Sequence, residues 1–194
     1  MLDVNDVVMI ISKRLMDSIN INDEKLGINQ FNYSTTTAFF NHCNYDISNL
    51  LQSICREYGI GTLVLTYWYV GRLTQEVILC TTTAYFLVLS SINLALKFNE
   101  DGHFSFQVFN GFPDVSNDKL GALEKKSLEI LEFKLYCSTE QYLNVVNSIS
   151  FEIEMNNNFR LNREMKVGIP MEEAGYDTST LYEDLLSDLE DLSL

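Results

Sequence analysis

Residues 77–98 read VILCTTTAYFLVLSSINLALKF, and from Val77 to Leu96 no Asp, Glu, Lys, Arg or His interrupts twenty positions. A run of that length spans a bilayer on length alone. Thr81, Thr82, Thr83, Ser90, Ser91 and Asn93 break its apolarity, however, and no Lys/Arg cluster marks a cytoplasmic flank. A helix apolar on every side is also what the centre of a helical domain requires. The run is therefore read as one buried helix over residues 75–98, the spine of an all-α domain rather than a membrane span. It closes on LALKFNED (94–101), where Lys97 stands between Leu94 and Phe98.

The neighbouring text supplies partners for such a spine. Before it, NLLQSICREYG (49–59) sets Leu50, Leu51, Ile54 and Tyr58 on one face, with Ser48 as its cap and Gly59 as its stop. TLVLTYWYVGRL (62–73) reads as a second buried helix. After the spine come a short aromatic segment, FSFQVFNGF (104–112), and a helix started by Ser116, NDKLGALEKKSLEILEFKL (117–135). In the latter, Leu120, Leu123, Leu128 and Leu131 recur at three and four. STEQYLNVVNSI (138–149) adds another amphipathic turn or two.

The N-terminal stretch places Val7, Val8, Ile11, Leu15 and Ile19 at helical spacing, capped by Asp3 or Asn5, with Lys13 and Arg14 on the wet side. Residues 20–46 are polar and irregular, a connector pinned to the surface by Phe39 and Phe40. The expected organisation is thus residues 1–46 as N-terminal helix and connector, 47–150 as a five-helix domain, and 151–194 as linker and tail. The tail from residue 171 carries eight acidic residues and no basic one, with Leu181, Leu185, Leu189 and Leu192 near helical spacing. Its charge favours an extended chain until a basic or apolar partner engages it.

Composition narrows the function. At 46% hydrophobic and 21% charged residues, the 194-residue chain belongs with globular proteins rather than disordered ones. A net charge of −14 argues against a nucleic-acid backbone as partner, which needs clustered Lys and Arg. The four cysteines form no C-x-x-C pair, and the opening MLDVNDVV is acidic where a signal peptide is basic. Free thiols in a reducing compartment, cytoplasmic and/or nuclear, are expected. No phosphate-cradling glycine loop occurs, and two scattered histidines with separated cysteines furnish no metal site. His42 and Cys43 are adjacent, a spacing at which side chains rarely face each other, so a thiol hydrolase using Cys43 is a remote alternative. Neither catalytic residues nor a cofactor are expected.

The ordered segments ININDEK, FFNHCNYDIS, LKFNEDGHFS and GALEKKSLEILEFKL resemble a cyclin box, nearest to the PHO-type class of small single-box cyclins related to fungal phosphate-signalling cyclins. The likeness covers roughly residues 4–148. It implies a regulatory subunit that binds and activates a cyclin-dependent serine/threonine kinase as a heterodimer, with no chemistry of its own. The family's lysine and glutamate, which grip the backbone of the kinase C-helix region, fall on Lys97 and Glu124. The apolar receptors fall on Leu94, Phe98, Leu128, Phe133 and Leu135. Helical spacing agrees in part, since Leu94, Lys97 and Phe98 share one face and Glu124 and Leu128 another. Charged rims around an apolar groove suit helix-in-groove recognition.

The family's usual arginine–aspartate pair is replaced by Ser53 and Gly71, a joint loss that strands no charge. Its polar pair in the third box helix becomes Tyr85 and Phe86, and its glycine pair before the fifth becomes Pro113 and Asp114. These departures keep a cyclin-fold adaptor that activates no kinase as the alternative.

Overall fold

The computed structural model describes residues 3–26, 37–39, 46–99, 106–109 and 112–167. These form five α-helices and two short 3-10 turns, and no strand occurs among them. The helices are α1 (Val4–Leu26), α2 (Ile47–Leu73), α3 (Ala84–Asn99), α4 (Asn117–Ile130) and α5 (Thr139–Val167). The all-α class is as expected. By contacts the chain divides into two units, Met1–Asn156 and Asn157–Leu194. The following concerns the first. The acidic tail, His42, Cys43, Phe40 and His103 lie outside the described residues.

Helix α3 is the spine, and every residue from Ala84 to Leu96 is buried. Burial stops at Lys97, so the ammonium marks the point where the helix leaves the core. No helix among the described residues is long and apolar enough to cross a membrane. The helix is shorter than the 75–98 expected, because residues 74–83 form turns instead. The threonines explain the difference, since hydroxyls beside the main chain compete for the bonds that would propagate a helix. Thr83 Oγ1 donates to the Ile78 carbonyl at 2.5 Å and accepts from the Cys80 amide at 3.0 Å. Helix α1 also captures this turn: Asn22 Nδ2 donates to the Leu79 carbonyl at 2.8 Å, and Asp23 Oδ1 accepts from the Thr81 amide at 3.1 Å.

That tie carries α1 to Leu26, six residues past Asn20, where the connector was expected to start. Its N-terminal cap is Asp3, whose Oδ1 accepts from the Asn5 amide at 2.7 Å. Val7, Val8, Ile11, Leu15 and Ile19 are buried as their spacing requires. Arg14 is not on the wet side. It is half-buried, and its Nε donates to Glu152 of α5 at 2.8 Å while Nη2 donates to the Ser148 carbonyl at 3.0 Å. Burial opposes its charge, but hydrogen bonds to Glu152 and Tyr67 outweigh that and hold its pKa above the ordinary arginine value.

Helix α2 joins the two helices expected on either side of Gly59. That glycine sits at φ 82°, ψ 176°, a kink between two helical segments. The position requires glycine because a Cβ disfavours this backbone region. The cap at the start is Asp46, whose Oδ1 accepts from the Ser48 amide at 2.8 Å, and not Ser48 itself. Phe39 is fully buried and pins its 3-10 turn (Thr37–Phe39) to the core, as expected. The aromatic segment after α3 contributes one 3-10 turn, Phe106–Phe109, with Phe109 buried.

Ser116 caps α4 by accepting from the Lys119 amide at 3.2 Å. The helix stops at Ile130 rather than reaching Leu135, because Glu132 (φ 52°) and Phe133 (φ 58°) turn left-handed. The Phe133 amide then donates to the Leu128 carbonyl at 2.9 Å, closing the end. Helix α5 runs far beyond the one or two turns expected, through residues 155–167 that composition marked as linker. Its buried Ile149 and Ile153 anchor it to the core.

Candidate functional site

The C-terminal end of α3 and the middle of α4 converge on one ion pair. Lys97 Nζ lies 2.5 Å from Glu124 Oε2, both side chains being partly exposed. Two features fix the pair. The last turn of a helix favours a cation through the helix dipole, which suits Lys97. Beneath it, Ser90 of α3 and Ser127 of α4 share a buried hydroxyl–hydroxyl bond of 2.5 Å. Leu120, Leu123 and Ser127 form the buried face of α4, and Glu124, three residues before Ser127, meets Lys97 at its edge.

Asn93 completes the cluster. Its Nδ2 donates to Glu124 Oε2 at 3.4 Å, while its buried Oδ1 has no hydrogen-bond partner among the described residues. An unsatisfied buried oxygen costs about 1–3 kcal/mol; Asn93 is fully buried and reaches the ion pair through Glu124 alone. Sequence reading noted Asn93 only as an interruption of an apolar run. The signal that marks it is its spacing of four from Lys97, which puts both on one helical face.

The remaining expected contacts are placed unequally. Phe98, next to the ion pair, is 46% exposed and offers apolar surface at the rim. Leu128, one turn beyond Glu124, is half-buried against the core. Leu94 is 2% exposed and packs inward, so a docking chain meets its neighbours and not its side chain. Phe133 and Leu135 line a separate hollow with Trp68 and Arg72 of α2. The Tyr69 hydroxyl donates to the Leu135 carbonyl at 2.8 Å, and Arg72 Nη1 donates to the Lys134 carbonyl, tying that segment to α2. The structure thus gathers Lys97, Phe98, Glu124 and Leu128 along α3 and α4, and sets Phe133 and Leu135 beside α2.

No protein-family model matches the chain, and no curated protein matches it.

The described residues contain no group of three or more His, Cys, Asp or Glu able to hold a metal. Cys55, Cys80 and Cys137 are free thiols. Burial raises the pKa of Cys55, and it raises that of Cys137 despite the opposing field of Arg72, so neither is poised as a thiolate. Ser53 and Gly71 are both exposed, and neither carries a charge. Tyr85 is buried but satisfied, its hydroxyl donating to the Pro113 carbonyl at 2.9 Å. Phe86 receives the Lys119 ammonium 4.4 Å from its ring centre. Thus Tyr85 and Phe86 both tie α3 to the start of α4 and the segment before it.

Proposed function

We propose that this chain is a cyclin-like regulatory subunit of the PHO-type class, which binds a cyclin-dependent kinase through the rim formed by Lys97, Glu124 and Phe98. The observation that carries the proposal is the 2.5 Å contact between Lys97 and Glu124. A lysine and a glutamate 27 residues apart in sequence meet at one edge, beside an exposed phenylalanine. The ordered resemblance assigns those same two residues to kinase recognition.

In this reading the incoming kinase main chain competes for the ion pair. Carbonyls accept from Lys97, amides donate to Glu124, and Phe98 covers apolar side chains of the docked helix. A partly exposed ion pair contributes ~0–1 kcal/mol to stability, so exchanging it for main-chain bonds costs little. Docking favours the inward position of the kinase C-helix, in which the kinase's lysine–glutamate pair and metal-binding aspartate are aligned for phosphoryl transfer. The activation reached is limited by how much more tightly the rim binds the inward state than the outward one.

The placement of Phe133 and Leu135 away from the rim supports a second reading, a cyclin-fold adaptor with a smaller contact that tethers a partner without activating it. A phosphorylation assay separates the two. Purified chain added to a panel of purified cyclin-dependent kinases stimulates at least one under the first reading. Under the second it binds one and leaves turnover unchanged.

A further inference from the structure

The half-buried Trp68 and Arg72 occupy the junction of two hollows on the first unit. One, of about 560 Å³, lies between α1, α2 and the start of α5, and its lining includes Arg14, Leu15, Tyr67 and Val145. The other, of about 540 Å³, lies on the far side of Trp68 and Arg72 and is lined by Phe133, Lys134, Leu135, Tyr136 and Gln141. Both fall within the range of ligand-sized sites, about 300–1,000 Å³.

Charge and exposure distinguish this surface. The chain carries a net −14, yet the lining of the two hollows includes Arg14, Arg72 and Lys134 and no Asp or Glu. Arg14 and Lys134 are engaged with Glu152 and Glu132. Arg72, among the described residues, has no carboxylate within ion-pair distance; the nearby Glu132 carboxyl, whose pKa is lowered chiefly by its hydrogen bond to Lys134, feels Arg72 only as a smaller field. Its guanidinium stands 5.0 Å from the Trp68 ring centre and is held by the Lys134 carbonyl. Stacking on an aromatic and one fixed hydrogen bond pre-organise a guanidinium and leave its other N–H groups to bind a carboxylate in a fork.

Beside it Phe133 is 70% exposed and Tyr136 73% exposed, although large apolar side chains gain by burial. Phe133 is moreover held in a left-handed conformation that bulky residues rarely adopt. Trp, Tyr and Arg gathered about a pocket are the composition that dominates binding energy at protein interfaces.

We infer that the Trp68–Arg72–Phe133 surface is a docking site for a short acidic peptide segment of a partner protein, a carboxylate seating on Arg72 and an adjacent aromatic or large aliphatic side chain lying between Trp68 and Phe133. The site is distinct from the Lys97–Glu124 rim and does not depend on it. Arg72 supplies charge selection, and the aromatic pair supplies affinity once the carboxylate has set the register.

Trp68 is the only tryptophan of the chain, so its fluorescence reports occupancy directly. The full chain is titrated with a panel of dye-labelled octapeptides pairing Glu or Asp with Phe, Leu or Ile at spacings of one to four. Charge-reversed Lys peptides and inorganic phosphate serve as controls. At least one acidic peptide is expected to bind, change Trp68 emission and weaken with added salt. Arg72→Ala is expected to weaken it at least tenfold, with Arg72→Lys retaining part, and Phe133→Ala to weaken it while circular dichroism is unchanged. Lys97→Ala leaves the affinity as it was, so failure here and failure of kinase binding are told apart. The inference is overturned if no acidic peptide in the panel binds, if Lys peptides or phosphate bind equally, or if Arg72→Ala and Phe133→Ala both retain full affinity. It is overturned equally if sedimentation shows a dimer whose dissociation on dilution changes Trp68 emission.

Discussion

Replacing Gly59 and Gly71 by alanine makes the same chemical change in one helix, and the structure assigns the two substitutions opposite signs. A Cβ at either position meets no atom within 4 Å, so steric clash contributes to neither. At Gly59 the backbone has φ 82° and ψ 176°, a region held almost wholly by glycine, where another residue costs about 1–3 kcal/mol. The alanine also narrows the unfolded ensemble, which returns about 0.4–1 kcal/mol. The net expectation for Gly59→Ala is destabilisation by ~1–2 kcal/mol. Gly71 lies in the regular, exposed part of the helix, where glycine is about 0.5–1 kcal/mol worse than alanine. Gly71→Ala is therefore stabilising by that amount. Urea unfolding followed by far-ultraviolet circular dichroism measures both. In thermal scans each kcal/mol corresponds to about 2–4 °C for a chain of this size. A neutral or stabilising Gly59→Ala, or shifts of the same sign for both variants, refutes the kinked-helix reasoning.

Three further outcomes are expected. Ser127→Ala should destabilise by about 1–3 kcal/mol because it takes from the buried Ser90 hydroxyl its closest partner, whereas Ser90→Ala with Ser127→Ala should lie nearer wild type; a double-mutant cycle in urea measures the coupling. Burial, with a smaller contribution from Cys137, pushes the Tyr69 phenol up to about 12, against a smaller lowering by Arg72. A pKa raised on folding gives stability that is complete below pH ~10 and is lost as the pH climbs through the folded value. Tyr69→Phe should therefore flatten the stability decline between pH ~10 and ~12, read by urea unfolding at several alkaline pH values. Arg14→Ala should loosen α5 from α1, leaving Glu152 without its 2.8 Å partner and raising amide exchange around Ser148 and Glu152.

The parts of this fold legible in the sequence were those set by short-range spacing. The buried α3 followed from an uncharged run too polar for lipid, and the α4 cap from Ser116 ahead of a leucine periodicity. Gly59 read correctly as an interruption, since its non-helical backbone kinks α2 into two segments. What misled was competition that spacing does not show. Three consecutive threonines looked compatible with helix, but Thr83 spends its hydroxyl on the turn at Ile78 and Cys80. Leu120, Leu123, Leu128 and Leu131 suggested a helix running on to Leu135, yet Glu132 and Phe133 turn left-handed. Asparagines at 156–158 read as linker while α5 continues through them. At the site, only the family resemblance set Lys97 and Glu124 side by side, and Asn93 was visible but unassigned. The Trp68–Arg72 surface was not legible at all, because it is assembled from α1, α2, α5 and a post-helical turn that only tertiary structure brings together.

The most direct measurement of the central claim is calorimetric titration of a cyclin-dependent kinase, selected from a purified panel, into wild type and into the variant carrying Lys97→Ala and Glu124→Ala. The proposal predicts measurable affinity for wild type and its loss in the variant, whose helical dichroism and unfolding midpoint stay close to those of the parent. Equal affinity of the two proteins, or silence of every kinase toward the wild-type chain, contradicts it.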